Sequence, residues 1–157
     1  MESSPRITTQ EGNCKVRVKV SKRLSANDLG LTGTHQAGIL IPKRQEVIGF
    51  FPMLDEESYN PSCKVAIFLP DLGEFVELRF IHYNGKRTGA STRDEYRLTG
   101  TTRVLRVLGA SEGDILEFTR SANGDVHVRV LDASANDEGN IFGDVIPLSG
   151  GWQLIRI

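Results

Sequence analysis

This 157-residue chain is poor in the materials of metal sites, disulfide scaffolds and membrane segments. Its two cysteines, Cys14 and Cys63, lie 49 positions apart, and neither has a second Cys or His at ligand spacing beside it. That argues against a zinc centre and against a disulfide framework, and leaves two reduced, buried thiols as the simple reading. No apolar run approaches the roughly 18 residues that a bilayer-spanning helix needs. The first eleven residues, MESSPRITTQE, lack the apolar centre of a secretory signal and read as a frayed start, so no membrane partner and a cytoplasmic location are expected. Repeats, linkers and low-complexity stretches are missing as well, which implies a single domain over residues 1–157.

An excess of positive charge is also missing, since the formal net charge is −1. Its distribution is uneven. Residues 12–45 carry seven Lys/Arg against Asp28 alone, a net +6, and residues 79–106 carry seven against Asp94 and Glu95, a net +5. The remainder therefore holds −12. Such asymmetry suits one side facing a polyanion and another facing water, although a solvated surface can also carry uneven charge by chance.

What the chain has in quantity is period-2 alternation. Lys15–Val20, Val76–Phe80 and Asp125–Val130 each place apolar side chains on one face, as half-buried strands do. Gly38–Ile41, Lys64–Leu69, Ile115–Arg120, Ile141–Ile146 and Trp152–Ile157 add further strand candidates between Gly, Asn, Asp and Pro clusters. The expected fold is mainly β, a barrel or sandwich of seven to eight short strands. Lys43–Phe51, bracketed by Pro42 and Pro52, and Thr101–Leu108, which Thr101 or Thr102 could cap, are expected as two short helices.

Two connections exceed the usual four to six or so residues of a compact domain. One runs from Ser21 to Ala37 and the other from Asn84 to Glu95, and each lies within a basic segment. They are rich in the side chains that read base edges. Arg or Lys can donate to guanine, Asn or Gln can bracket adenine, and a carboxylate can accept from cytosine, whereas Ser, Thr and Lys fix phosphates. Asp94-Glu95, set between Arg93 and Arg97, is hard to justify for non-specific DNA binding. It fits a carboxylate that meets a cytosine or holds an arginine, or else a local salt bridge on the loop surface.

The residues in these connections carry a family resemblance. Lys22-Arg23-Leu24-Ser25-Ala26-Asn27-Asp28, then Gly30, Thr32-Gly33, His35-Gln36, Gly38 and Ile41-Pro42, resemble the signature stretch of the EcoRII N-terminal effector domain of restriction endonucleases. Tyr83-Asn84, Thr92-Arg93-Asp94-Glu95 and Arg97 are similar to that family's second recognition arm. The resemblance implies a B3-like DNA-binding pseudobarrel that holds double-stranded DNA with two arms in the major groove. Carried onto matching positions, it implies DNA contacts from Arg23, Ser25, Asn27, Asp28, Thr32, His35 and Gln36 in the first arm and from Thr92, Arg93, Glu95 and Arg97 in the second. Lys22, Thr34, Lys86, Arg87, Ser91 and Asp94 complete the expected set. Asn27 and Asp28 are equally natural loop-bracing residues. The chain departs from the family where Ala90-Ser91 stands for Gly-Lys, Asp94 for Asn and Tyr96 for Lys, which leaves base readout by the second arm open.

The family further implies a G·C-rich site similar to 5′-CCWGG, a linked C-terminal nuclease domain in a prokaryotic enzyme, and an effector role. A B3 transcription-factor-like module without a nuclease is the alternative. No catalytic centre is expected within the chain itself. Asp71 and Glu77-Leu78-Arg79 only faintly mimic a restriction-enzyme site, with a five-residue gap and Arg for the customary Lys, so no metal or cofactor is expected here and Mg²⁺ only for a linked nuclease. His35, His82 and His127 have no triad context, the last two reading as strand-surface or satisfied core residues. RNA is not expected as a partner, because Tyr83 and Tyr96 are the only aromatics near the arms and single-strand binders need stacking platforms.

Overall fold

The computed structural model describes residues 18–33, 38–136 and 144–156. Among the described residues nine strands form one sheet: β1 (Val18–Arg23), β2 (Ile39–Ile41), β3 (Ser62–Leu69), β4 (Glu74–Tyr83), β5 (Glu95–Thr99), β6 (Ile115–Arg120), β7 (Val126–Leu131), β8 (Asp144–Pro147) and β9 (Trp152–Arg156). Their order is β2-β5-β4-β3-β7-β6-β1-β9-β8. All neighbours are antiparallel except β3 and β7, which meet in parallel at a seam of two pairs, Ile67↔Val126 and Phe68↔His127. The sheet curls until its ends approach each other. The Trp152 indole Nε1–H on β9 donates to the Leu40 carbonyl on β2 at 3.0 Å, and this bond closes the barrel.

Alternation drives the curl. Along β3, Val65, Ile67 and Leu69 are buried, and along β4, Leu78, Phe80 and His82, while Lys64, Glu77 and Arg79 face water. Phe51 stacks on Phe80 at 4.6 Å between ring centroids and meets Phe118 edge-on at 6.2 Å, and Phe118 lies 5.7 Å from Trp152. Each such buried side chain stabilises the fold by about 1.5–3 kcal/mol relative to exposure. Cys63 is half-buried opposite Phe80, and burial raises its thiol pKa against the pull of Arg79. Cys14 lies outside the described residues.

Several boundaries differ from the sequence reading. Nine strands replace seven to eight because Glu95-Tyr96-Arg97-Leu98-Thr99 is a strand, concealed by the charges of Glu95 and Arg97 on one of its faces. β1 runs on to Arg23, so Lys22 points inward, while Lys15 and Arg17 lie outside the described residues, as do residues 141–143 ahead of β8. The α-helix α1 is a single turn, Gln45–Ile48, that buries Val47, and Phe50 and Phe51 follow it into the core. The second helix, α2, spans Thr101–Val107 and buries Leu105. Its N-cap is Gly100 at φ +84 and not a threonine, and the Thr101 hydroxyl is buried with no hydrogen-bond partner among the described residues.

Candidate nucleic-acid interface

Both long connections border the β2–β5 pair, at opposite ends of it. The first arm leads from β1 into Ile39, whose partner is Leu98 near the end of β5, and the second arm leads into Glu95 at the start of β5. Gly38 seats the first arm. At φ +88 it lies so close to β5 that a Cβ would stand 2.3 Å from the Leu98 carbonyl oxygen. β5 is five residues long. Glu95 and Leu98 are three residues apart, so at about 3.3 Å per residue the two connections reach this strand pair roughly 10 Å apart along the strand, comparable with the ~12 Å width of a DNA major groove.

The first arm is braced from within. Ser25 N–H donates to Asp28 Oδ2 at 2.9 Å and Asp28 N–H donates to Ser25 Oγ at 3.2 Å, the reciprocal arrangement of a capping box. Lys22 Nζ, on the inward face of β1, donates to the same Asp28 oxygen at 2.5 Å. Both residues are only 6% exposed, so this ion pair is a buried anchor beneath the arm. Thr32 Oγ1 donates to Asn27 Oδ1 at 2.9 Å on the surface, and Arg23 donates to the Gly113 carbonyl at 3.0 Å. Asp28 thus takes the bracing role, while Arg23, Ser25 and Thr32 are exposed and Asn27 is partly so. Thr34, His35 and Gln36 lie outside the described residues.

The second arm begins with a 3-10 turn, Gly85–Arg87. Gly85 packs so tightly that a Cβ would stand 2.2 Å from Ser91 Oγ. Lys86 N–H donates to the Arg93 carbonyl at 3.0 Å and Arg93 N–H to Ser91 Oγ at 3.2 Å, which folds the arm into a closed loop. The buried Asn84 amide fastens its base, accepting from Asn60 N–H at 2.9 Å and donating to the Ser58 carbonyl at 2.8 Å. Lys86 and Thr92 are exposed. Arg87 is exposed too, and donates to the Glu56 carbonyl and to Glu57 Oε2, the latter at 3.1 Å.

The acidic pair divides its work. Glu95 Oε1 accepts from Arg93 Nε at 3.0 Å, Arg93 Nη2 at 2.5 Å and Arg97 Nε at 3.1 Å. Burial pushes the Glu95 carboxyl up, but the hydrogen bonds and charges of Arg93 and Arg97 outweigh it and hold the group below the ordinary range. Arg97 is only 5% exposed and acts from inside the sheet, whereas Arg93 is partly exposed. Asp94 accepts from Lys43 Nζ at 2.5 Å and lies 3.0 Å from His82 Nε2. The bond from Lys43, then that from His82, holds its carboxyl at about 2. Of the three readings of the acidic pair, Glu95 displays the ion pair that holds Arg93 and Arg97, and Asp94 a local salt bridge to Lys43.

His82 was legible in sequence only as a strand residue. It is buried with both ring nitrogens engaged, and its partner Glu56 lies 26 positions away in a loop that no spacing rule connects to it. Tyr83 and Tyr96 are likewise occupied. Arg93 lies over the Tyr83 ring, and Tyr96 stacks with both Phe80 and His82. Asp71 pairs with Arg129 at 3.1 Å and Glu77 with Lys64 at 3.6 Å, so the residues of the nuclease-like pattern are committed to different partners. Among the described residues no group of three His, Cys, Asp or Glu is placed to hold a metal, and no helix is long and apolar enough to cross a membrane.

A curled, nearly closed β-sheet with two short helices is a B3-like pseudobarrel. The chain belongs to the family described as "Restriction endonuclease EcoRII, N-terminal", which matches residues 13–152. It is 32% identical over 141 residues to the type II restriction enzyme EcoRII of Escherichia coli, a match that takes in 80% of this chain and 33% of the relative, so the chain spans about one third of that enzyme's length. Two solved structures share the fold. The Arabidopsis FUS3–DNA complex superposes with a TM-score of 0.55 at 14% identity, over 72% of this chain and 95% of that one. The B3 domain of the UbaLAI restriction endonuclease with cognate DNA gives 0.54 at 18% identity, over 88% and 86%.

Proposed function

We propose that this chain binds double-stranded DNA in a sequence-specific manner, with both arms in the major groove, as the target-recognition or effector domain of a type II restriction endonuclease. The observation that carries the reading is the presentation of Arg93. Its guanidinium is held on one side by the Tyr83 ring and along its edge by Glu95, on an arm fastened at both ends. A pre-oriented fork of this kind suits bidentate donation to guanine O6 and N7. Arg93 and Glu95 are the leading base-reading residues, with Arg23 and His35 next. Lys86, whose side chain has no hydrogen bond or ion pair among the described residues, suits a phosphate, and Ser25, Ser91 and Thr92 offer hydroxyls beside the bonded Asn27–Thr32 pair. Lys22, Asp28 and Arg97 support these residues from beneath. Family membership and the DNA complexes formed by the two structural relatives support DNA as the ligand. A site similar to 5′-CCWGG is what the resemblance of both arms to the EcoRII N-terminal domain implies.

The test is a binding selection on randomised duplexes with the parent chain and with Arg93→Ala, Glu95→Ala and Lys86→Ala. Losing a base-reading pair costs about 1–3 kcal/mol of discrimination at one base pair, so the first two variants should blur the consensus, whereas Lys86→Ala should keep it and bind all sequences more weakly. A parent that selects no consensus refutes the reading. The same chain, incubated with plasmid and Mg²⁺, should leave the DNA intact, and nicking abolished by Asp71→Ala or Glu77→Ala would assign it a catalytic site after all. EcoRII is three times the length of the stretch matched here, and this supports a separate nuclease domain as the partner.

A further inference from the structure

The second arm is tied to the rest of the molecule by a chain of polar contacts that runs through one imidazole. His82 Nδ1 lies 2.6 Å from Glu56 Oε2, in the loop before β3, and Nε2 lies 3.0 Å from Asp94 Oδ1, at the end of the arm. The ring is packed between these contacts. It stacks on Tyr96 at 4.1 Å and 13°, and the backbone N–H of His82 donates to the Pro61 carbonyl at 3.0 Å. The groups around it are mostly acceptors. Lys43, two residues ahead of α1, bonds the far oxygen of Asp94, and the Tyr96 hydroxyl donates to Glu56 Oε1 at 3.3 Å. Arg87 reaches the Glu56 backbone carbonyl and the neighbouring Glu57 carboxylate, but not the Glu56 carboxylate.

Proton counting then decides what the ring must be. A carboxylate only accepts, and a neutral imidazole has one N–H and one lone pair. With a carboxylate oxygen at each nitrogen, a neutral ring sets its lone pair against an anion and keeps one of the two bonds at most. Only the doubly protonated ring donates to both. We propose that His82 is a positioning residue whose proton holds the second recognition arm to the body of the domain, so that DNA binding through that arm is coupled to the uptake of a proton. Loss of the proton releases either Asp94, at the root of the arm beside Glu95, or Glu56. The inference rests on the arm being part of the DNA interface, but the state of the ring and its link to the arm can be read without DNA.

Two measurements test it. Imidazole ¹⁵N and backbone amide shifts of the free chain, followed across about pH 5.5–8.5, should show both ring nitrogens protonated at the acid end, with the Asp94 and Glu95 amides moving in step with the ring. In parallel, affinity is measured at constant ionic strength for a 5′-CCTGG duplex and a random duplex. The parent should lose roughly tenfold in affinity for the first across that range, the scale of one charged hydrogen bond, and less for the second. Glu56→Gln supplies an amide N–H to Nδ1, so a neutral ring can still donate from Nε2 to Asp94, and this variant should be much flatter with pH. A ring with one N–H at the acid end, arm amides that ignore the ring, or identical pH profiles for parent and Glu56→Gln would each overturn the proposal. A chain that binds neither duplex fails the DNA reading, and the shifts then decide the coupling on their own.

Discussion

Arg93 lies over the ring of Tyr83, its guanidinium carbon 3.6 Å from the ring centroid. The two residues sit on opposite sides of the second arm, one at the end of β4 and one just before β5, so the contact spans the arm's base. The Nε and Nη2 groups of the guanidinium donate to Glu95, and a guanidinium carries five N–H donors, which leaves some for an outside acceptor. A cation–π contact of this sort contributes about 0.5–2 kcal/mol. Tyr83→Leu keeps apolar bulk and removes the π face, so affinity for the selected duplex should fall roughly 3–20-fold while affinity for random duplex changes less. Equal losses for both duplexes would assign the ring a role in folding alone.

The buried Lys22–Asp28 pair supports a stability prediction. Removing one partner strands the other charge, which typically costs about 3–5 kcal/mol. Asp28→Ala also breaks the exchange with Ser25, so it should lower the urea midpoint more than Lys22→Met, and the double variant should recover part of the loss. Additive effects of the two substitutions, measured by equilibrium unfolding, would show that the pair is not coupled.

The acid limb of stability should carry the mark of Asp94. Its carboxyl titrates at about 2 in the folded chain against an ordinary 3.8. A depressed carboxylate contributes stability that is fully present above its unfolded value and is lost as pH falls through the folded one, here between about pH 4 and pH 2. The group is two-fifths exposed, so solvent screening keeps the contribution small. Asp94→Asn should flatten this limb by lowering stability modestly at neutral pH while leaving it little changed near pH 2, as followed by thermal unfolding from pH 2 to pH 7.

Binding should weaken steeply with salt, because each phosphate neutralised adds about −0.9 to the slope of log K against log salt. Lys86→Ala should make the slope shallower by about one such unit. Lys64, exposed on β3 and loosely paired with Glu77, is the control whose charge reversal should leave the slope unchanged. Arg120 would be a poor control, since it donates to the Gly49 carbonyl at 2.7 Å and packs on Phe50. An affinity indifferent to salt would rule out a phosphate-contacting surface.

The sequence was most readable where a residue's neighbours along the chain decide its fate. The alternation of β3, β4, β6 and β7 reports a buried face directly, and those strands lie where the pattern placed them. β5 was missed because Glu95 and Arg97 satisfy each other's charge, a pairing that lets a guanidinium sit inside a sheet and erases the apolar signal. The same limit applied to the arms. Their composition pointed to base-reading chemistry, but composition could not separate exposed Arg93 from supporting Arg97, or Asp28 in its buried pair from Asn27 beside it. His82 was the least legible residue, since both of its carboxylate partners are supplied by the fold.

The bond from Trp152 to the Leu40 carbonyl gives the domain an optical handle. Trp152 is the sole tryptophan of the chain, and it sits where the two ends of the sheet meet. Emission excited at the red edge of indole absorption therefore comes from that junction alone, with no other source to subtract. β2, which supplies the carbonyl, is also the strand on which the first arm lands. A shift in emission colour when a duplex is added would thus report strain transmitted from the arm to the closure, without any label being attached.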